Sequence, residues 1–412
     1  MKTKLPFLLV AIVLISIIYS SITQIRFAFV DDKWMLLDEK LIIVPKVDWD
    51  FLKQVFTRIN SLQYSPLNTL YYYFIYQING YDPYYYHLGS FIIHALNVLL
   101  VFILVRKILI LFKISNIEIL AYGVALIWAV LPLNVESVIW ISASKILLYT
   151  FFGLISFILF LDAFLEGSKY LYVASIVTFI LSFLAKEQAV LFPFMMILFV
   201  FTYQQKNKLG LSISRMLKYI SPFFILALIF GLVTLYTVIY GGGSHDIERF
   251  PFSQRIVLMF YCICFYIFNN FIPVNLHYHY AFPIHSGQSL PFIYYLYPVL
   301  LLSIMWQFFV LAKKKTNFYL YLFCFGIFMI HLILCIQLVP LPRAAMIADR
   351  YMYIPSVGLL LIAAVILNEN FDLSFKKMNR PAILISFAFV IYMLFLTVSS
   401  YDLVENWKKM QL

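Results

Sequence analysis

Charge is scarce in this sequence. Only 12% of its 412 residues are Asp, Glu, Lys or Arg, against roughly 25% in a soluble domain. Hydrophobic residues make up 64% and the mean hydropathy is +0.92, which excludes a soluble globular protein and points to a polytopic membrane protein. Signatures of soluble enzymes are missing as well. No Walker loop, G-x-G-x-x-G, G-x-S-x-G or H-E-x-x-H occurs, and the Gly241–Gly243 run is not followed by the Lys and Ser/Thr of a phosphate loop. The four cysteines, Cys262, Cys264, Cys324 and Cys335, all lie in apolar runs. They show neither zinc spacing nor a disulfide framework, so they read as small buried apolar residues. No small-x-small cleavage site follows the first apolar run, Leu5 to Ile22, so that run reads as a retained span.

The charge that is present is unevenly placed. The formal net charge is +11, with much of the excess Lys and Arg in short loops between apolar runs. That is the positive-inside pattern of a membrane protein, and no nucleic-acid partner follows from it. Lys2 and Lys4 keep the N-terminus inside. Spans are expected at about 5–22, 86–105, 118–131, 145–165, 170–185, 188–203, 219–240, 292–312, 317–338, 354–368 and 381–400, about eleven crossings. Residues 31–85 form a first outside loop in which 67–78, too short to cross comfortably, reads as an interfacial helix. Residues 241–290 form a second outside loop. The run 255–272 is long enough to cross, but crossing would put Lys313–Lys315 and Lys376–Lys377 outside, so it reads as an interfacial or re-entrant helix. No repeat or soluble domain is visible, and 1–412 reads as one membrane domain.

With this topology the informative polar residues share one face. Asp31 and Asp32 follow the first span and Glu136 the third. Lys186 and Glu187 join the fifth and sixth. His277 and Tyr280 follow the interfacial helix, and Arg343, Asp349 and Arg350 precede the tenth span. Each also has a plainer reading. The Asp pair could be solvated loop, Lys186–Glu187 a local ion pair, Glu136 a helix cap, Arg343 plain loop and Arg350 an interfacial anchor. His277 and His279 have the look of a metal pair, but their alternation with Tyr278 and Tyr280 equally fits an interfacial aromatic belt.

Four segments carry a family resemblance: YSPLNTLYYYFIYQINGYDPYYYHLGSFIIHALNVLLVF (64–102), LPLNVESVIWISASKILLYTFF (131–152), LAKEQAVLFP (184–193) and ADRYMYIPSVGLLL (348–361). In this order they resemble the membrane core of the tetratricopeptide-containing transmembrane O-mannosyltransferases and their bacterial relatives, within the GT-C glycosyltransferase superfamily. The repeat region of that family is absent. Leu131, Asn134, Ser144-Lys145 and Ile146 also depart from its pattern, which leaves mannose as the sugar and protein as the acceptor open.

The resemblance implies an all-α, GT-C-type bundle whose first outside loop bears interfacial helices. It implies an enzyme that moves a hexose, mannose or another sugar from a polyprenyl-phosphate donor to a hydroxyl on a protein, lipid or glycan. By position, Asp31 or Asp32 would be the general base. Arg350 first, then Lys186 and Arg343, would hold the donor phosphate, with Glu187, Asp349, Glu136, His277 and Tyr280 in support. No cofactor is required by the sequence, and a divalent cation is left open. A flippase of lipid-linked sugars, a surface-glycan polymerase or ligase, and a non-catalytic scaffold are the competing readings. The expected location is a bacterial inner membrane with a periplasmic site, or the endoplasmic-reticulum membrane in a eukaryote.

Overall fold

The computed structural model describes residues 4–28, 31–58, 63–210, 213–240, 250–338, 345–371, 373 and 380–409. Among them there is no strand, and Tyr280 and Ile347 form an isolated bridge. The apolar runs are helical because a single run in lipid must satisfy its own backbone groups.

Helix α1 (Lys4–Ile18) leads into the first loop. There α2 (Trp49–Thr57) is capped by Asp48, whose carboxylate accepts the Phe51 N–H at 2.8 Å. The expected interfacial helix is α3 (Pro66–Asn79), opened by a proline that needs no hydrogen-bond partner for its nitrogen. Asp82 caps α4 (Pro83–Leu111), accepting from Tyr84 N at 3.1 Å. Helix α5 (Ile117–Ala129) is followed by Pro132, which lacks a donor, and the chain bends by 56° into the short α6 (Val135–Ile139). Helix α7 (Ser144–Glu166) stops where Gly167 turns left-handed at φ 75°. Then come α8 (Lys169–Ala185), α9 (Phe192–Asn207), α10 (Ile213–Tyr240), α11 (Phe252–Phe271), α12 (Leu296–Lys313), α13 (Phe318–Leu332), α14 (Pro355–Phe371) and α15 (Arg380–Lys408).

Among the described residues, seven helices are long and apolar enough to cross a membrane, eight if the bent pair α5–α6 is one span. Four shorter apolar helices run within Leu9–Gln24, Lys169–Ala185, Phe318–Leu332 and Pro355–Phe371. Each expected span coincides with a helix. The ambiguous run is α11, and by length and composition it is one of the seven.

Polar contacts mark the two ends of the bundle. At one end, Arg106 Nε meets Glu118 at 2.6 Å, Lys107 pairs with Asp162, and Lys206 Nζ reaches Asn317 Oδ1 at 3.0 Å. Asn317 in turn donates to Glu369 at 2.7 Å. The first loop, α6 and the segment before α14 meet at the other, here termed the outer end. Helix α11 is tied to this outer end through Arg255 and Tyr266, while the carbonyl of its last residue, Phe271, accepts from Tyr392 in α15 at 2.8 Å. Arg255 donates to the carbonyls of Gln337 and Leu338, Tyr261 packs on Tyr294, and Tyr266 donates to the Ala348 carbonyl. Beneath the first loop lies a small core of Met35, Leu36, Ile42, Tyr72, Tyr86 and Ile141, which seats the loop on the bundle.

Candidate active site

The two adjacent carboxylates occupy different surroundings. Asp32 is only 1% exposed. Its Oδ2 accepts the Ala28 N–H at 2.7 Å, and its Oδ1 accepts the Ser142 N–H at 2.9 Å together with the Ser142 hydroxyl. Burial pushes its carboxyl above the usual range, and the bonds from Ser142 and Ala28 oppose that shift. Asp32 therefore clamps the first loop to the segment between α6 and α7. Asp31 is half-buried. Its Oδ1 accepts the Trp34 indole N–H at 3.0 Å, and its other oxygen takes no donor among the described residues. A π-helical turn, Lys33–Leu37, begins directly after the pair and turns Trp34 back towards Asp31.

Two cations, Lys145 and Arg350, lie within electrostatic reach of Asp31, and a third, Lys186, lies within reach of Lys145. Arg350, in the turn Asp349–Met352, donates its backbone N–H to Glu136 Oε2 at 2.8 Å, and its guanidinium pairs with Glu136 Oε1. The guanidinium also lies over the rings of Trp140, at 4.8 Å, and Tyr351, at 5.1 Å. Glu136 is buried, whereas the Arg350 side chain stays 21% exposed, so part of its fork remains open. Lys186 is buried at the end of α8 and its Nζ lies 3.2 Å from Glu187 Oε1. Lys145, in the first turn of α7, is buried with its Nζ 2.6 Å from Gln63 Oε1 and 3.6 Å from Met35 Sδ. No carboxylate lies within ion-pair reach of Lys145 among the described residues. Asp31 acts electrostatically on both Lys145 and Arg350, and Lys186 and Arg350 both act on Lys145.

Behind the cations, Asp349 Oδ1 accepts the Tyr280 hydroxyl at 2.9 Å. Burial, then the Glu136 carboxylate, push the Asp349 carboxyl well above the usual range. Burial and Asp349 likewise push the Tyr280 phenol up. His277 enters through its backbone, whose N–H donates to the Tyr280 oxygen at 2.9 Å, while its ring and that of His279 are exposed. Among the described residues no group of three or more His, Cys, Asp or Glu could hold a metal ion.

A buried polar knot holds the Arg350 turn in place. The Trp128 indole donates to the Tyr353 carbonyl at 2.8 Å. His94 lies 3.0 Å from the Ala129 carbonyl and 2.7 Å from the Tyr353 hydroxyl. A carbonyl only accepts, so Nε2 carries the proton and Nδ1 accepts from Tyr353. Helices α4 and α5 and the turn that leads into α14 are thereby pinned together.

A solved structure similar to this chain is the crystal structure of ArnT from Cupriavidus metallidurans bound to undecaprenyl phosphate. The two are 13% identical with a TM-score of 0.45, and the match covers 99% of this chain and 76% of that one. No protein-family model and no curated protein matches the chain.

Of the residues singled out in the sequence, Asp31, Asp32, Glu136, Lys186, Glu187, Tyr280, Asp349 and Arg350 come together at the outer end. His277 joins through its main chain and an edge-on ring contact with Tyr280 at 6.1 Å, and Arg343 lies outside the described residues. Sequence reasoning gave no role to Lys145, Ser142 or Gln63. The available signal was Lys145 itself, a lone cation at the mouth of an apolar run.

Proposed function

We propose that this chain is a membrane glycosyltransferase that takes a sugar from a polyprenyl-phosphate donor and passes it to a hydroxyl acceptor at the outer end of the bundle. The observation that carries this reading is Lys145. A buried ammonium without an ion-pair partner is costly unless an anion joins it; among the described residues Lys145 has none, and it lies within electrostatic reach of Lys186, Arg350 and the more open carboxylate of Asp31. Glu136 pairs with Arg350 and Glu187 with Lys186, while Lys145 feels Asp31 and Glu187 only at a distance, which suits it to an added anion such as a lipid phosphate.

The chemistry follows from that geometry. The Asp31 carboxylate takes the proton of the acceptor hydroxyl. The acceptor oxygen forms its bond to the anomeric carbon as the bond from that carbon to the phosphate oxygen breaks. The electron pair leaves with the lipid phosphate, whose growing charge Lys145, Lys186 and the open edge of Arg350 stabilise. Asp32 holds the loop and so positions Asp31. We place this site on the periplasmic face of a bacterial inner membrane, from the basic loops at the opposite end. The transporter reading draws less support. The Asp162 carboxylate is paired with Lys107, and His94 is hydrogen-bonded within the polar knot.

The test uses purified protein in lipid with a panel of radiolabelled polyprenyl-phosphate sugars. Wild-type protein is expected to release sugar from one of them. Asp31→Asn should lower turnover by about 100-fold or more with donor binding retained, and Lys145→Gln should weaken donor binding. Intact donor crossing the bilayer at a rate unmoved by Asp31→Asn would favour the flippase instead.

A further inference from the structure

A second recess opens at the outer end, apart from the three cations. It is a cavity of about 690 Å³ whose lining includes Arg26, Phe27, Leu37, Tyr81, Asp82 and Tyr84. That volume falls within the ~300–1,000 Å³ of small-molecule sites and is too small for a folded partner. Its chemistry differs from that of the cation cluster. It offers one cation and one anion, so it suits a neutral ligand. The Arg26 guanidinium takes no acceptor among the described residues, and Arg26 is exposed. Asp82 uses Oδ1 to cap α4, which leaves its second oxygen for a ligand. Two phenol rings supply flat apolar faces with polar tips. Rings that pack on C–H faces, beside a fork and a carboxylate that bind neighbouring hydroxyls, are suited to a sugar.

Its position bears on the transfer reaction. Phe27 is four residues before Asp31, a chain reach of at most ~14 Å. The Phe27 ring packs on Tyr86 at 5.8 Å, within the small core under the loop. On the far side of the carboxylates, the π-helical turn places Met35 against Lys145 and Leu37 in the cavity wall. Side chains two residues apart on a helical turn point to roughly opposite sides. The loop that bears Asp31 therefore has the cations on one side and the cavity on the other.

We propose that this cavity is an acceptor subsite for a neutral oligosaccharide of up to about three sugar units, which presents a hydroxyl to Asp31 from the side opposite the donor phosphate. The assignment rests on the transferase reading for its role, while binding itself can be measured separately.

The experiment is saturation-transfer NMR on the full chain in nanodiscs. The probes are maltotriose, cellotriose, mannotriose and chitotriose, with a Ser/Thr-rich peptide as the contrast. At least one trisaccharide is expected to bind. Arg26→Ala and Tyr84→Ala should each weaken it about tenfold, as for loss of one hydrogen bond to a charged group or one ring face. Both side chains reach the surface, and a melting curve on each variant confirms that the fold is kept. Polyprenyl-phosphate binding, followed in the same nanodiscs, should be unchanged by Arg26→Ala. Absence of binding by all four trisaccharides overturns the proposal, as does binding that neither variant weakens. Displacement of the trisaccharide by the peptide would assign the cavity to a protein acceptor and overturn it too. Loss of the transferase reading shows differently, as polyprenyl-phosphate binding that is absent or indifferent to Lys145→Gln.

Discussion

Asp349 and Glu136 place two carboxyls around one guanidinium, and the structure resolves the conflict by separating their roles. Glu136 makes both contacts to Arg350, while Asp349 receives the Tyr280 hydroxyl. With burial first and Glu136 second, the Asp349 carboxyl lies well above the 3.8 of a free Asp. A folded value above the unfolded one means that the folded state binds this proton more tightly. The stabilisation is complete below the unfolded value and is lost as pH rises through the folded one, about 1.4 kcal/mol for each tenfold difference in proton affinity. The Tm of the purified protein is therefore expected to fall as pH rises from the ordinary Asp range through the raised value of Asp349. Asp349→Asn, which keeps the oxygen that accepts from Tyr280, should flatten that slope, and an unchanged slope would refute the assignment. At this scale the sequence was partly legible. Charges at span ends identified Asp31, Glu136, Lys186 and Arg350, since charge at the edge of lipid needs a reason. It could not divide the work of Asp31 and Asp32, because the division depends on Ser142, 110 positions away. Lys145 escaped because a single Lys at a span mouth is indistinguishable from an ordinary interfacial anchor until its neighbours are known.

Helices were the most legible elements, because about twenty apolar residues between polar loops leave little choice in lipid. The irregular pieces were not legible. The π-helical turn after Asp32 and the bend between α5 and α6 are set by tertiary anchors such as the Asn134 amide, which donates to the Trp128 carbonyl at 2.7 Å. Close approach of two helices was equally hidden. A Cβ at Gly358 of α14 would lie 2.2 Å from the Cys324 carbonyl oxygen of α13, a backbone atom with little freedom to retreat. Small residues at such crossings let helix backbones meet. Gly358→Ala is expected to cost about 1–3 kcal/mol through overpacking, despite the better helix propensity of Ala. Gly231, in α10, has nothing within 4 Å of its Cβ position, so Gly231→Ala should leave stability unchanged or raise it slightly. Thermal unfolding of the two variants side by side checks this. Equal Tm values would mean that α13 and α14 do not pack as closely as described.

At the scale of the whole molecule, the direction of α11 fixes the orientation of everything after it. Its length and hydropathy allow a crossing, yet two of its side chains bind one connection at the outer end, while the carbonyl of its last residue, Phe271, accepts from Tyr392 midway along α15 at 2.8 Å. Arg255 near its start binds the Gln337 and Leu338 carbonyls, and Tyr266 in its last turns binds the Ala348 carbonyl. These carbonyls belong to the single connection between α13 and α14. Nine residues past its end, Tyr280 meets Asp349 in the same connection. A helix held by one loop at both Arg255 and Tyr266 fits a course along the interface. The Lys313–Lys315 cluster then shares the inner end with Arg106 and Lys107, as the positive-inside bias favours. A cysteine at Lys314, which is exposed, should react with a membrane-impermeant maleimide only after the membrane is opened. A cysteine at Gln288, exposed beyond α11, should react in sealed cells. The native cysteines are buried or half-buried, so their background should be small. Labelling of Lys314→Cys from outside would mean that α11 crosses, and would place α12 to α15 upside down relative to Asp31. Arg350 could not then reach the carboxylate, and the site itself would fall with the topology.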